Sequence, residues 1–565
     1  MMKEFVQKSP GYFSGSRITA QLFMLLLLAI YFLLMPACGD GGSSEDEDGD
    51  SDSGLFDADE EIEGEVSDGD SDNDNSGEIE ADDDIVGDGD VDNENVEQET
   101  DAEEAAPLYR VENGRLLDAQ GRVILLRGVN FPSGEVAEWT GDKEGADALA
   151  ITHIARSGFN AIRLVINWDR IEPEPDAYDT AYLDLVQHHV ELAAEAGLYI
   201  IIDLHQDMYG MGFGLHGAPY WTCDEAYYES FEPIEPWFFN YFSDEVSACF
   251  DHLWQTPELQ AHHWRAAREV ALRVAAIERV LGFDPINEPF PGNADMYSFD
   301  GDYLYPFYEG FAETVGEVMP GRIMFIEPAV TFSMTLATNM PEPITAFTPF
   351  FFPHYYNSDV EMNHLWDGDD ATDRKAIGAM KDAAIQLGAP FGYGEMGGDA
   401  ATSNLDDYLE SFFSILDEEF AASFLWIYNV GGSGGFSLLD GQGGFNANSW
   451  AYLRGAPSEI AGQPLSFSYN PRNGDFELQW TADADAGTTE ILVPEWIRQA
   501  GLTATLDGAA MEPLIDAARS RLTIPGGTGG ERSFSWTVNA TDGDTETDGK
   551  AAETSDSDTE NAEAL

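Results

Sequence analysis

Over residues 108–456 the apolar positions change period repeatedly. Short runs with no helical period, of the kind buried strands show, alternate with longer stretches whose apolar residues recur at three- and four-residue spacing. LYRVENGRLLDAQGRVILLRGVNF (108–131) predicts a small hairpin leading into a first buried strand. NAIRLVINW (160–168), LYIIIDLHQ (198–206), ERVLGFDPI (278–286), RIMFIEP (322–328), TAFTPFFFPHYY (345–356), APFGYGEMGG (389–398) and AASFLWIYN (421–429) predict seven more strands. Between them, 146–158, 180–197, 256–276, 301–319, 370–388 and 402–419 read as helices, the second ending at Gly197. Strands and helices alternating in this way over 107–456 predict an α/β fold, a (β/α)8 or TIM barrel, in which functional groups lie at the C-terminal strand ends. From residue 457 to 540 the runs become short and alternating, as in LSFSYN, FELQW, TTEILVP, LTATLDG, RLTIPG and RSFSWTVNA, separated by Gly, Pro and Asn. That is the pattern of an antiparallel β-sandwich.

The two ends follow neither pattern. Lys3, Lys8 and Arg17 precede the apolar run LFMLLLLAIYFLLMPA (22–37), which meets Cys38-Gly39, so residues 1–38 are a targeting segment rather than fold. The run followed by a small residue and Cys38 resembles a bacterial lipoprotein signal, with Met35 and Pro36 departing from the usual box. Ordinary secretion and a signal anchor are the other readings. All place the protein outside the cytoplasm, secreted or held at the outer surface of a bacterium. Residues 39–106 are Asp, Glu, Gly, Ser and Asn with few apolar residues; they cannot bury a core, and repulsion between like charges makes them an extended, disordered spacer. Residues 541–565 read as a disordered acidic tail. DSDNDNSGE (70–78) superficially suggests a calcium loop but lacks the EF-hand order and its flanking helices.

The formal net charge is −80. Much of it sits in 41–106, where 30 acidic residues meet no Lys or Arg, yet 107–540 still holds 65 acidic against 22 basic residues. A surface this negative excludes nucleic-acid partners and repels anionic membranes. Only Lys143, Lys375 and Lys381 are lysines in that part, which reads as adaptation to a salty medium.

The chemistry gathers at the strand ends. In GFDPINEPFPG (282–292) Pro289 stops the strand, which leaves Glu288 where it opens into a loop, with Asn287 beside it able to donate to a substrate hydroxyl. Glu395 ends another strand among glycines. Two carboxylates at the ends of two parallel strands are what glycoside hydrolysis requires; either alone could be an N-cap or a surface acid. Arg163 and Trp168 lie on the second strand, Asp203, His205, Gln206 and Asp207 end the third, His354 and Tyr356 end the sixth, and Trp426 lies on the eighth. An Arg near a carboxylate keeps it ionised, a Tyr can orient a nucleophile, and a Trp offers a sugar ring a flat apolar floor. His205 alone would read as a core histidine; in this company it joins the site.

These residues and the strings LRGVNF (126–131), IDLHQDMYG (202–210), Gly-Ala-Pro-Tyr-Trp (217–221), GFDPINEPFPG (282–292) and YGEMGG (393–398) make the chain resemble glycoside hydrolase family 5, and within it the endoglycoceramidases. The resemblance spans about 107–540. It implies a retaining double displacement with Glu395 as nucleophile and Glu288 as acid and then base, their carboxyls about 5–5.5 Å apart. The acid should be raised and the nucleophile kept low. It also implies substrate contacts from Arg163, His205, Gln206, Asp207, Asn287, His354, Tyr356 and Trp426, no metal or cofactor, a glycolipid or oligosaccharide substrate, and a monomer. The loop FPSGEVAEW (131–139) lacks the basic residue expected near the sugar in ceramide-cleaving relatives, so the glycan stays open.

The excursion 208–255 is rich in aromatic residues, and strand six adds Phe350, Phe351 and Phe352. Such a lid can wall an apolar channel for lipid chains, or can simply pack as core under a long insertion. Cys223 and Cys249 lie within it and can pair in an oxidising compartment. Two other functions compete with the glycolipid reading. One is an endo-β-glucanase with an open cleft for polysaccharide; the other is a non-catalytic carbohydrate- or glycolipid-binding surface lipoprotein.

Overall fold

A computed structural model describes residues 107–133, 146–429, 436–440, 444–446 and 449–539, all within one compact unit. The expected targeting segment, acidic spacer and acidic tail lie outside the described residues, as does most of the loop after the first barrel strand.

Eight parallel strands form the centre: β4 (Arg127–Pro132), β5 (Ala161–Ile166), β6 (Tyr199–Leu204), β7 (Val280–Asp284), β8 (Ile323–Ile326), β9 (Thr348–Phe351), β10 (Gly392–Met396) and β11 (Ala422–Leu425). Their order is β10-β11-β4-β5-β6-β7-β8-β9. The seam between β9 and β10 is closed by bridges at Phe351–Phe391 and Tyr355–Met396, the Tyr355 N–H donating to Glu395 O at 3.1 Å. These strands are buried on both faces, which is why their sequences read as unbroken apolar runs. The helices between them fall where the periodicity places them: α1 (Ala146–Arg156), α2 (Thr180–Glu195), α3 (Pro257–Val274), α4 (Tyr305–Gly316), α5 (Ala371–Leu387) and α6 (Leu405–Glu419). Asp179 caps α2, accepting from the N–H groups of Ala181 and Tyr182. At Gly282 a Cβ would stand 1.8 Å from the Ile323 carbonyl oxygen, so β7 and β8 pack this closely only because the residue has no side chain.

The C-terminal part is antiparallel, as the alternation predicts. One sheet takes β13 (Gly462–Tyr469), β14 (Phe476–Ala482), β16 (Leu502–Leu506), β17 (Ala509–Met511) and β20 (Gly530–Val538). The second contains a pairing that local pattern does not reveal. The N-terminal hairpin β1 (Tyr109–Glu112) and β2 (Arg115–Asp118), followed by β3 (Val123–Ile124), joins β12 (Ala456–Ile460), β15 (Thr489–Leu492), β19 (Arg521–Ile524) and β18 (Leu514–Asp516) in one seven-stranded sheet. The two ends of the unit meet where Ile124 pairs Glu459 and Val123 pairs Ile460. Tyr109, Leu116, Ile124 and Leu126 pack against Tyr199, Ile201, Phe325, Phe350 and Phe424 and so plug the barrel end remote from the site. Buried Glu459 accepts from Tyr199 Oη at 2.7 Å and Arg521 Nη1 at 2.9 Å, tying the sheet to the barrel.

The excursion after β6 folds into short helical turns and the helix Asp244–Gln255, whose first turn is capped by Ser243. Cys223 and Cys249 form a disulfide across it, their Cα atoms 5.5 Å apart. Much of its aromatic content is core: Tyr209, Tyr241, Phe250 and Trp254 are buried.

Candidate active site

At the open end of the barrel the chain leaves β7 and turns sharply. Glu288 adopts φ +43°, a left-handed conformation that non-glycine residues seldom take. Its neighbours hold it there: its N–H donates to Glu327 Oε2 at 3.1 Å, and its carbonyl accepts from Gln206 Nε2 at 3.2 Å. Backbone so constrained, and carrying a carboxylate into a cleft, points to a functional group rather than a surface acid. Glu395 projects from β10, buried. One oxygen of each carboxyl and a ring nitrogen of His354 lie within 4.8 Å of one another.

His354 stands between the two glutamates. Its Nδ1 is 3.0 Å from Glu288 Oε1 and 3.5 Å from Glu395 Oε2, and its Nε2 forms an ion pair with Glu327 Oε1 at 3.1 Å. Burial favours the neutral ring, but Glu327 and Glu395, with the bonds to Glu288 and Glu327, outweigh it and hold His354 as an imidazolium. Tyr356 Oη donates to Glu395 Oε2 at 2.9 Å, and Arg163 Nη1 to Glu395 Oε1 at 3.0 Å. Both oxygens of Glu395 are thereby oriented.

The resemblance assigns Arg163 to the substrate; the structure places it beneath the site, with 0 % exposure. Its guanidinium bonds Asp284 at 3.0 Å, Asn130 at 2.9 Å, Asn287 at 2.9 Å and Glu327 at 3.3 Å, and forms an ion pair with Asp203 at 3.0 Å. It is a positioning residue, because alternation along a strand does not tell how deep a side chain lies. Gln206 is also committed to the protein, donating to the carbonyls of Asn287 and Glu288 and accepting from the Tyr209 N–H at 2.8 Å. Asn287 accepts from Arg163 and donates to Gln206 O at 3.0 Å, which leaves its second amide hydrogen without a protein acceptor among the described residues.

His205 bonds Asp203 Oδ2 at 2.9 Å and lies 3.5 Å from Asp207 Oδ2. Burial opposes its charge, but the two carboxylates raise it well above the usual histidine range. Trp426 stacks on it, centroids 5.1 Å apart and planes 13° from parallel. His205, Asp207, Asn287, Glu288, His354, Tyr356, Glu395 and Trp426 therefore come together around one cleft, and Trp168 stays in the core.

Four participants escaped the sequence reading. Asn130 donates to the carbonyls of Gly394 and Leu425 and accepts from Arg163, and Asp284 and Glu327 complete the shell around that guanidinium. All three lie inside strings already singled out, and the strand-end logic that found Glu288 would have found Glu327. Glu361, on the short helix Ser358–Asn363 after β9, had no such signal; burial and the charge of Glu288 push its carboxyl up to about 7.

The charge balance of the site reverses the expected one. At Glu288 burial is outweighed by the hydrogen bond and charge of His354, so the carboxyl lies below its ordinary range. At Glu395 burial prevails over His354 and Arg163, and repulsion from Glu288 adds to it, so the carboxyl lies above. The physical reason is the position of His354, half an ångström nearer to Glu288.

Among the described residues three carboxylate–histidine groupings are close enough to share an ion: Glu172–Asp176–His262, Asp284–Glu327–His354 and Glu288–His354–Glu395. Each already has internal partners. Glu172, for one, accepts from Trp168 Nε1 at 2.9 Å, the Asp176 N–H at 2.7 Å and His262 at 2.7 Å. An imidazolium at His354 has no lone pair left for a metal.

The fold and this site define a glycoside hydrolase, and comparison gives its family. The model of "Cellulase (glycosyl hydrolase family 5)" matches residues 117–432, and that of the family 5 C-terminal domain matches 454–540. The chain belongs to glycosyl hydrolase family 5, a retaining family. Among characterised proteins it is similar to endoglycoceramidase I of Rhodococcus hoagii, 25% identical over 429 residues that cover 71% of this chain and 82% of the relative. It is also similar to an endoglycoceramidase of Cyanea nozakii, 23% identical over 68% of this chain and 82% of that protein. Among solved structures, endo-glycoceramidase II from a Rhodococcus species in complex with ganglioside GM3 superposes with a TM-score of 0.66 at 25% identity, covering 75% of this chain and 99% of that one. The same enzyme as a lactosyl-enzyme intermediate gives 0.64.

Proposed function

We propose that the protein is an endo-β-glycosidase that hydrolyses the bond between the oligosaccharide and the ceramide of glycosphingolipids. One observation carries the chemistry: two carboxyls from the ends of the fourth and seventh barrel strands lie within 4.8 Å through facing oxygens, with His354 between them. So close an approach fits the short carboxyl separation of a retaining enzyme, in which the second carboxylate attacks the sugar. The similarity to endoglycoceramidases supports the substrate class.

In the proposed reaction a Glu395 oxygen, held by Arg163 and Tyr356, attacks the anomeric carbon. Glu288 gives its proton to the glycosidic oxygen and ceramide leaves. Glu288 then takes a proton from water, which attacks the same carbon and frees Glu395. The first step needs the proton on Glu288; the two carboxyls titrate as a pair, with His354 within 3.5 Å of both. Asp207, His205 and Trp426 would face the sugar.

Glu288→Gln and Glu395→Gln should each lower kcat/KM on a ganglioside by at least about 10²-fold, with melting temperatures near that of the parent. A loss of only a few-fold in either variant contradicts the assignment.

A further inference from the structure

Three loops at the mouth of the barrel carry exposed apolar side chains and no Lys or Arg. Eight of the thirteen large hydrophobic side chains exposed among the described residues belong to three loops at the C-terminal ends of barrel strands. They include Tyr220, Ile234 and Trp237 after β6, Tyr297 after β7, and Met362 and Leu365 after β9. Exposed apolar residues scattered singly need no explanation, but a concentration around a cleft marks an interaction face. The same loops fall within 171–264, 280–321 and 323–373, and not one Lys or Arg occurs in those three stretches. Their charges are acidic, among them Asp224, Glu225, Glu229 and Glu235 beside the apolar positions.

This rim is continuous with the site. The exposed Trp237 ring lies 6.3 Å from that of Tyr241. Tyr241 lies 5.3 Å from Phe290 and donates to Asp207 Oδ1 at 3.4 Å, and Asp207 stands 3.5 Å from His205. An aromatic wall thus runs from the outer surface to the carboxylates.

We infer that this rim docks the protein on a lipid bilayer with neutral or zwitterionic headgroups, setting Ile234, Trp237 and Leu365 into the interface so that a glycolipid rises directly into the cleft. The inference rests on the glycolipid reading of the site. Tyrosine and tryptophan at the rim suit the headgroup layer, where one side of the ring is wet and the other apolar. A nucleic acid or an anionic bilayer finds no Lys or Arg on these three loops and meets carboxylates instead. A second copy of the chain would bring two like-charged rims together and cover both clefts.

The test uses the full-length protein with phosphatidylcholine vesicles whose chains are brominated, which quench a nearby tryptophan. The apolar run 22–37 contributes equally to every variant, so differences report the rim. Trp237→Phe should lose about half of the quenching seen with the parent, although it removes one of twelve tryptophans. Ile234→Ser with Leu365→Ser should lower hydrolysis of vesicle-borne ganglioside at least fivefold relative to hydrolysis of a soluble aryl glycoside. Adding phosphatidylglycerol should weaken binding, and salt should restore it, because screening confines the repulsion to about 10 Å at 0.1 M. Equal quenching of parent and Trp237→Phe, an unchanged ratio of the two rates, or tighter binding to anionic vesicles would overturn the inference. So would self-association that the Ile234→Ser, Leu365→Ser variant abolishes, which would assign the face to a second copy. If ganglioside is cleaved in no format while the Trp237-dependent quenching persists, the substrate reading fails and the docking face stands.

Discussion

Glu361 shows how much of the chemistry depends on a single neighbouring charge. Its carboxyl, raised to about 7 by burial and by Glu288, is neutral in acid and negative in alkali. Once negative it repels charge on Glu288 and helps the acid keep its proton. Glu361→Gln removes an ionisation near pH 7 beside Glu288, so the inflection it gives the parent's kcat/KM profile near pH 7 should be absent from the variant. A pH–rate profile checks this, and an inflection near pH 7 that persists in the variant contradicts it. At this scale the sequence was informative where a polar residue interrupts an apolar run at a strand end, as at Glu288, Glu395, His205 and Tyr356. For Arg163 it put a guanidinium near a carboxylate, as found at Glu395, but said nothing of its depth, and it was silent for Glu361, whose helix is too short to carry a period.

Among elements, the barrel strands and helices were legible because each buries its own local pattern. The union of β1, β2 and β3 with β12 was not, because nothing in either segment marks a partner more than 300 residues away; only the register Ile124–Glu459 does. The consequence is mechanical. Leu117, Val123, Leu125 and Phe420 lie in the same core as Ile460, Phe467, Ile491 and Trp480, so the C-terminal strands are part of the barrel's floor rather than a detachable module. Truncation after Gly455 should expose that core and strand the buried Tyr199 hydroxyl without Glu459. We expect no soluble protein with a cooperative melt from this truncation. A truncated chain that melts within a few degrees of the parent would show that the shared sheet contributes little to stability.

For the whole molecule, a negative surface and the proposed lipid-embedded substrate stand opposed until the charges are located. The described unit concentrates its apolar exposure on three loops at the barrel mouth that carry no Lys or Arg, and closes the opposite end with the shared sheet. Composition revealed the charge, and the aromatic excursion suggested a lid; only the fold showed that much of it is core and that its exposed remainder faces outward around the cleft. Family membership does not choose between glycolipid and glucan, because both chemistries use the same pair of carboxyls. Product analysis does. Incubated with a ganglioside, the protein should release the intact oligosaccharide, initially as its β-anomer, together with intact ceramide, both visible by mass spectrometry and nuclear magnetic resonance. Stepwise loss of terminal sugars, release of the α-anomer, or cleavage of soluble β-glucan with the ganglioside left untouched would contradict the account.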